Sequence, residues 1–208
     1  MAALALKNTS NPPIRRSESQ RRLTPEEYLA IERQAEHKSE YFSERMVMMA
    51  GASRKHNLIV GNLLRVLGNQ LLDSSCNVYP SDMRVSVPQM MVYTYPDVVV
   101  TCGEEDFSDS NVDILLNPIV IIEVLSKSTE AHDRGRKFEY YQQIPSLMAY
   151  VLVSQESYKI ELYVRQTEHL WLYSAHTNPE GTVTLEAIKC DLSLEDVYRK
   201  VKPLENNT

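Results

Sequence analysis

Two apolar runs that each carry an acid decide the fold of this chain: Tyr95-Pro96-Asp97-Val98-Val99-Val100 and Ile119-Val120-Ile121-Ile122-Glu123-Val124-Leu125. Runs of valine and isoleucine predict buried strands. Acidic side chains are almost never fully buried unless they are paired or bind a metal, because desolvating an isolated carboxylate is very costly. Two such acids indicate oxygen ligands that converge on a divalent cation. The alternative is a pair of strand-end carboxylates satisfied by Arg84, Lys137 or backbone amides.

The segments on either side of these runs predict alternating helices and strands. Thr24 and Ser53 are predicted N-caps, and Leu63, Leu67 and Leu71 recur at four-residue spacing on an amphipathic helix. The remaining predicted elements are a hairpin at 41–50, strands at 77–87, 94–102, 119–125 and 147–153, a helix at 130–143, a half-buried antiparallel strand at 158–165, strands at 169–174 and 182–188 that continue a meander, and a closing helix at 194–201. This order predicts an α/β (α+β) core with antiparallel strand extensions.

The composition is that of one globular domain. The chain has 208 residues, of which 43% are hydrophobic and 24% are charged. We predict a single domain over 23–202, a disordered N-terminal tail over 1–22 and a flexible tail over 203–208. No apolar stretch reaches the roughly 18–20 residues that span a bilayer, so no membrane partner is expected.

The cysteines and the net charge restrict the compartment and the partners. Cys76, Cys102 and Cys190 lie far apart and form no CxxC pair, so we expect no disulfide framework, no zinc site and a cytoplasmic location. The net charge of −6 argues against a general electrostatic attraction to nucleic acid. A nucleic-acid enzyme of this composition needs a local basic surface.

The segment after Glu123 contains the candidate cationic group. If a helix begins near Ser128, Asp133, Lys137 and Tyr141 share one of its faces. Lys137 can then reach the ends of the strands and stabilise an attacking water or a phosphate.

The motifs in these segments resemble the bacterial Uma-two family, which consists of restriction-endonuclease-like proteins of the PD-(D/E)xK nuclease superfamily. The motifs are Tyr95-Pro96-Asp97, Glu123-Val124-Leu125-Ser126 with the following Lys-Ser-Thr, Asp133-Arg134-Gly135-Arg136-Lys137, the upstream Glu40-Tyr41 hairpin, Ser53-Arg54-Lys55-His56 and Asp82-Met83-Arg84-Val85. The resemblance covers roughly residues 23–200. It implies a restriction endonuclease-like core, with a mixed four-stranded sheet flanked by helices.

The same resemblance implies Mg²⁺-dependent hydrolysis of phosphodiesters, with Asp97 and Glu123 as metal ligands. We expect that Mn²⁺ can replace Mg²⁺. The chain departs from the superfamily at the position two residues after Glu123, where lysine is usual and Leu125 stands. Lys137 is our candidate for the missing lysine, and Lys127 is the second choice. A structural ion pair with Glu123 or Asp133 is the alternative role for Lys137.

Three further residues are candidates for the same site. Asp82 precedes Asp97 and is a candidate third carboxylate, or it pairs with Arg84 or serves a turn. Glu40 projects into the cleft, or it ends a solvated helix. His56 lies in the first turn of a helix, where the macrodipole disfavours the imidazolium, so a neutral His56 can act as a base or contact phosphate. A hydrogen-bonded surface histidine is its alternative.

These residues support three hypotheses about function. The first is a metal-dependent endonuclease acting on DNA, for which a homodimer is a natural assembly because a restriction-like outcome needs two cuts. The second is a catalytically inactive nuclease-fold protein that binds nucleic acid or a protein partner. The third is a metal-dependent hydrolase of a small phosphorylated molecule, against which the absence of glycine-rich phosphate-binding patterns argues.

Overall fold

The computed structural model describes residues 22–201. The two predicted tails lie outside the described residues, apart from Arg22. The helical segments are α1 (Pro25–Glu32), α2 (Arg54–Gln70), α3 (Glu130–His132), a π-helical turn (Asp133–Lys137), α4 (Phe138–Tyr141), α5 (Leu194–Val197) and 3₁₀ turns at Pro88–Met90 and Glu186–Ile188. None of the helices within this range is long and apolar enough to cross a membrane.

The strands form three sheets in the described part of the chain. Their bounds are β1 (Ser39–Phe42), β2 (Arg45–Met48), β3 (Cys76–Pro80), β4 (Arg84–Val87), β5 (Val92–Thr94), β6 (Val98–Cys102), β7 (Ile114–Leu115), β8 (Val120–Leu125), β9 (Ala149–Ser154), β10 (Ile160–Arg165), β11 (Trp171–His176), β12 (Thr182–Leu185) and β13 (Cys190–Ser193). The central sheet has the order β11-β10-β9-β8-β6-β3. Strands β8 and β9 pair in parallel and the other neighbours are antiparallel. The predicted mixed-sheet fold class is confirmed, with six strands in the central sheet.

Two segments predicted as single strands are each divided between two sheets. The segment 77–87 becomes β3 in the central sheet and β4 in a second sheet of order β2-β1-β5-β4-β7. The segment 94–102 is divided in the same way. Thr94 ends β5 in the second sheet, and Val98–Cys102 form β6 in the central sheet. Pro80 and Pro96 lie at these breaks. Proline has no backbone N–H to donate to a sheet, so it favours the end of a strand over its middle.

The C-terminal part of the chain differs from the predicted meander. Strands β12 and β13 form a separate two-stranded sheet, so the prediction that 182–188 continues the meander is wrong. The physical reason is burial: Val183 and Leu185 face the core beside α2 and α5. Gln70 of α2 fixes this hairpin, because its side chain donates to the Asp191 carbonyl at 2.8 Å and accepts from the Asp191 N–H at 2.9 Å. The closing helix is α5, which is shorter than predicted.

Two apolar cores lie on the two faces of the central sheet. On one face Ile59 and Leu63 of α2 pack with Ile122 of β8. On the other face Ile121 of β8 packs with Tyr141 of α4 and with the second sheet. Because successive strand residues point to opposite faces, β8 contributes to both cores and its one charged residue is enclosed with them.

The cysteines differ from the sequence prediction. Cys76 of β3 and Cys102 of β6 stand opposite each other in the sheet and form a disulfide. The expectation of no disulfide is therefore wrong, because antiparallel pairing brings together two residues 26 positions apart. Cys190 is free and buried. The inference of a reducing cytoplasm depended on unpaired cysteines, and this bond removes that support.

Candidate active site

The register between β6 and β8 brings the two predicted acids to the same end of the sheet. Val98 pairs with Ile122. Asp97 precedes Val98 by one residue and Glu123 follows Ile122 by one residue, so in the same register the two acids stand opposite each other. The Asp97 carboxylate also accepts a hydrogen bond from the Val124 N–H at 2.7 Å. The backbone of one acid-bearing strand thus holds the acid of the other.

Lys137 lies among three carboxylates. Its ammonium is 3.0 Å from Glu123 Oε1, 2.9 Å from Glu40 Oε1 and 3.7 Å from Asp133 Oδ1. All four residues are buried, and Lys137 is only 6% exposed. The structure therefore brings together Glu40, Glu123 and Lys137, three of the residues singled out from the sequence.

A π-helical turn and a tyrosine shape this cluster. The turn spans Asp133–Lys137, so it carries one carboxylate and the ammonium on its two ends. Such turns are rare and occur frequently at functional sites. The Tyr141 hydroxyl donates to Glu123 Oε1 at 3.0 Å. The face predicted for Asp133, Lys137 and Tyr141 is thus the face that meets Glu123.

Burial governs the proton affinities in the cluster. Burial raises the pKa of Glu123 well above its usual range; the charge of Lys137 lowers it in part, and Asp97 raises it further. Burial lowers the pKa of Lys137, but Glu123 and Glu40 outweigh this and the net pKa is well above its usual range. The direction of this shift favours the charged form of Lys137 near neutral pH. Three carboxylates surround this single ammonium group. The excess of negative charge near Glu123 favours the binding of a proton or of a further cation.

His56 contacts the other acid. Its Nε2 lies 3.0 Å from Asp97 Oδ2. An ionised carboxylate only accepts, so Nε2 carries the hydrogen and donates to Asp97. Nδ1 of His56 is buried and has no hydrogen-bond partner among the described residues. This geometry makes His56 a group that orients Asp97, and Nε2 is not free to act as a base in this arrangement.

A hydrogen-bonded glutamine positions His56, and sequence reasoning missed it. The Ser53 hydroxyl caps α2 by accepting from the His56 N–H at 3.1 Å. The same hydroxyl donates to Gln155 Oε1 at 2.5 Å, and Gln155 Nε2 donates to the Leu125 carbonyl at 2.8 Å. Gln155 thus joins the start of α2 to the end of β8. No periodicity or motif in the sequence distinguishes this glutamine from an exposed one.

Tyr95 is a second residue whose role was missed. Its backbone N–H donates to Glu40 Oε1 at 3.1 Å, and its hydroxyl donates to Glu32 Oε1 at 3.0 Å. The Arg84 guanidinium donates to the same hydroxyl. Burial raises the pKa of Tyr95 to about 12, with the charge of Arg84 opposing the shift and that of Glu32 adding to it. Tyr95 therefore stays protonated near neutral pH, and it links Glu40 to the buried side chains of Arg84 and Glu32. The signal available in the sequence was Arg84, a charged residue within a segment predicted to be a strand.

Three other residues named in the sequence analysis form no ion pair with Lys137 within residues 22–201. Asp82 is in the turn between β3 and β4, its carboxylate is 84% exposed, and it pairs with Lys38 at 2.9 Å. Asp82 is therefore not among the residues that the structure brings together around Lys137. Its exposure and its pair with Lys38 favour the alternative that it serves a turn. Lys127 is exposed, and Leu125 is buried in the core. Lys137, and not Lys127, stands beside Glu123.

The donor chemistry of the two opposed acids fits Mg²⁺ or Mn²⁺. Asp97 and Glu123 offer hard oxygen donors, and Mg²⁺ commonly takes one or two carboxylates and keeps several waters. Within residues 22–201 no group of three or more His, Cys, Asp or Glu side chains has the arrangement of a metal site. The residues present therefore fit a water-rich cation held by two carboxylates, and they do not form an all-protein cage.

Comparison with known proteins assigns the family. Residues 25–195 match the model of the family described as "Uma2: Putative restriction endonuclease". The chain belongs to the Uma2 family. This confirms the resemblance inferred from the Tyr-Pro-Asp and Glu-Val-Leu-Ser motifs.

Two curated relatives and one crystal structure extend the comparison. Both relatives are from Synechocystis sp. (strain ATCC 27184 / PCC 6803 / Kazusa). "Uncharacterized protein sll1609" is 39% identical over 72% of this chain and 85% of its own length. "Uncharacterized protein slr1290" is 36% identical over 86% of this chain and 92% of its own length.

The crystal structure is that of "a putative nuclease belonging to DUF820 from Anabaena variabilis ATCC 29413". It superposes with a TM-score of 0.71 at 17% identity and covers 85% of this chain and 97% of that chain. At this identity the likeness shows the fold and nothing more.

Proposed function

We propose that this Uma2 protein is a metal-dependent endonuclease that hydrolyses phosphodiester bonds in DNA, with Mg²⁺ as its metal and Mn²⁺ as a substitute. The observation that supports the proposal is the opposition of Asp97 and Glu123 at one sheet end, with the buried Lys137 ammonium 3.0 Å from Glu123. A bound divalent cation would supply neutralisation of phosphate charge and a water of lowered pKa. The fold and family are consistent with this chemistry.

The side chains divide the work in this proposal. Lys137 stays protonated, so it can stabilise negative charge that develops on a phosphate oxygen. Glu40 and Asp133 hold the ammonium in place, and the Tyr141 hydroxyl holds Glu123. On the Asp97 side, His56 and the Val124 N–H orient the carboxylate. Asp97, Glu123 and Lys137 are the proposed catalytic residues, and Glu40 and His56 position them.

The direct test is cleavage of supercoiled plasmid DNA. Purified protein with Mg²⁺ or Mn²⁺ is expected to convert the plasmid to nicked or linear forms, and EDTA is expected to stop the reaction. Single-stranded DNA and RNA substrates in parallel reactions define the substrate class. The absence of metal-dependent cleavage of every substrate would reject the proposal. Cleavage that Asp97→Ala leaves unchanged would instead reveal a contaminating nuclease.

One observation favours a second candidate, a catalytically inactive nuclease-fold protein that binds nucleic acid or a protein partner. Lys137 is enclosed by three carboxylates and is only 6% exposed. A buried lysine satisfied in this way can serve stability alone. Tight DNA binding without cleavage under any metal condition would favour this candidate over the endonuclease.

We also propose a homodimer. Strand β11 is an edge of the central sheet. Leu172 and Tyr173 on this strand are 60% and 49% exposed to solvent. An exposed edge strand with apolar side chains is a ready surface for pairing with another chain. Light scattering of the purified protein tests this directly, and a monomeric mass at micromolar concentration would contradict it.

A further inference from the structure

A recess lies beside the acid–lysine cluster, between the β1–β2 hairpin and the helical segment that follows β8. It is open to solvent and has a volume of about 890 Å³. Three arginines, three rings and one acid contribute to its lining: Arg22, Arg45, Arg136, Phe42, His132, Tyr140 and Glu44. The arginines outnumber the acid. The recess is therefore both basic and aromatic, in contrast to the acidic cluster next to it.

Two of the arginines are not neutralised. Arg22 pairs with Glu44 at 3.2 Å. Arg45 and Arg136 form no ion pair with any acid in residues 22–201, and both are exposed. Within residues 22–201 of a chain whose net charge is −6, this recess thus holds two guanidinium groups that have no ion-pair partner. Guanidinium groups bind phosphate oxygens in bidentate geometry, so a phosphodiester suits this recess.

The rings form an uncharged wall in the same recess. Phe42 stacks on Tyr140 with ring centroids 5.8 Å apart, and it meets the His132 ring edge-on at 5.0 Å. Burial lowers the pKa of His132, and the charge of Lys137 lowers it further, so this ring is neutral at physiological pH. Flat uncharged surfaces contact bases and sugars favourably. The wall therefore distinguishes a nucleic acid from a free inorganic anion.

Residues that line the recess are close neighbours in sequence of the proposed catalytic cluster. Glu40 and Phe42 are two residues apart on β1, so they point to the same face at a spacing of about 7 Å. Arg136 precedes Lys137, and His132 precedes Asp133, on the helical segment opposite. A polymer with one phosphate at Lys137 would pass over this recess with its neighbouring nucleotide.

We propose that the recess binds the sugar–phosphate backbone of the nucleic-acid substrate next to the phosphate that is cleaved. Arg45 and Arg136 contact the phosphate, and the Phe42–Tyr140 wall contacts the adjoining sugar or base. This inference rests on the proposed nuclease function, because it assigns the substrate of that site. It also identifies the local basic surface that an acidic nucleic-acid enzyme requires.

The test is the salt dependence of DNA binding, measured in EDTA so that no cleavage occurs. Fluorescence anisotropy with labelled single-stranded and double-stranded DNA compares the wild type with Arg45→Ala/Arg136→Ala. Each lost phosphate contact is expected to lower the slope of log K against log salt by about 0.7–0.9, and affinity at low salt is expected to fall about tenfold or more. Arg45→Lys/Arg136→Lys retains the charge and is expected to keep most of the slope.

Arg65→Ala is the matched control. Arg65 is 46% exposed on α2, which packs on the other face of the central sheet, and its nearest acid lies 3.8 Å away. It should leave both affinity and slope unchanged. Thermal denaturation verifies that every variant is folded. Inorganic phosphate at equal ionic strength is expected to compete poorly, and strong competition would overturn the assignment to a nucleic acid.

The outcomes separate this inference from the function on which it rests. A wild type that binds DNA with the same slope as Arg45→Ala/Arg136→Ala overturns the recess as the substrate surface, while metal-dependent plasmid cleavage would still stand. A wild type that neither binds nor cleaves nucleic acid overturns both. A reduced slope in the arginine double variant, with Arg65→Ala unchanged, supports the recess.

Discussion

The Lys137 ammonium lies 3.0 Å from Glu123 Oε1, although the two residues are 14 positions apart and belong to different elements. This contact places a lysine beside the second acid of a chain whose usual lysine position holds Leu125. The lysine arrives from a helical segment and not from the strand that carries the acid. We therefore expect this contact to contribute both to the stability of the fold and to the proposed phosphodiester hydrolysis.

Replacing this lysine should destabilise the protein strongly. Lys137→Met keeps the length of the side chain but leaves Glu40, Glu123 and Asp133 without their cation. Breaking a buried ion pair on one side costs about 3–5 kcal/mol, and we expect a loss of that size in the free energy of unfolding. Urea denaturation measures it, with the exposed Lys127→Met as control. If Lys137→Met and Lys127→Met were equally stable, the buried ion pairs of Lys137 would not contribute to the stability of the fold.

His56 and Asp97 should be energetically coupled. Nε2 of His56 donates to Asp97 at 3.0 Å, and both side chains are mostly buried. A double-mutant cycle with His56→Ala and Asp97→Asn is expected to give a coupling energy of about 0.5–3 kcal/mol in urea denaturation. Additive effects within error would show that the contact contributes nothing to stability.

Glu161 should make stability depend on acid pH. Burial raises its pKa, but hydrogen bonds from Arg134, Tyr173 and Lys159 outweigh this and lower it to about 2, below the usual 4.5. A depressed carboxylate pKa stabilises the fold above the unfolded-state value, and this contribution is lost as the pH falls from about 4.5 toward 2.

Glu161→Gln is therefore expected to be less stable than the wild type near neutral pH, and the difference should shrink through this acidic window. Thermal melts at a series of pH values measure it. A stability difference that stays constant with pH would rule out the ionised Glu161 as its source.

The Cys76–Cys102 disulfide should be measurable in solution. Of the three cysteines in the sequence, only Cys190 should react with a thiol reagent in denatured, unreduced protein, and all three should react after reduction. For a separation of 26 residues, loss of the bond is expected to cost about 3 kcal/mol. Cys76→Ser/Cys102→Ser should reproduce the effect of reductant and be insensitive to it. Three reactive thiols before reduction would contradict the bond.

Local patterns predicted much of this fold. The Thr24 capping box and the Ser53 cap are present because their hydrogen bonds lie within one turn of helix. The apolar runs at Val98 and Ile122 form buried strands, as their short length and their β-branched residues favour. The face shared by Asp133 and Lys137 was predicted from helical spacing alone.

The remaining features depend on contacts between distant segments. Asp82 lies in the turn between β3 and β4, which belong to different sheets. Pro80 is a local signal for the end of β3, but the sheet that the next strand joins depends on distant segments. Tyr95 and Gln155 act through partners far away in the chain. The disulfide likewise depends on the register between β3 and β6. Pairing between strands, and not propensity, determined these features.

The measurement that tests the central claim most directly is plasmid cleavage by matched, nearly isosteric variants. Asp97→Asn and Glu123→Gln remove one charge each with little change in size, and Asp82→Asn is the control because its carboxylate is 84% exposed. We expect Mg²⁺-dependent cleavage by the wild type and by Asp82→Asn, with cleavage by the other two variants reduced at least about a hundredfold. Cleavage by Asp97→Asn and Glu123→Gln at the wild-type rate, or none by the folded wild type with any metal, would contradict it.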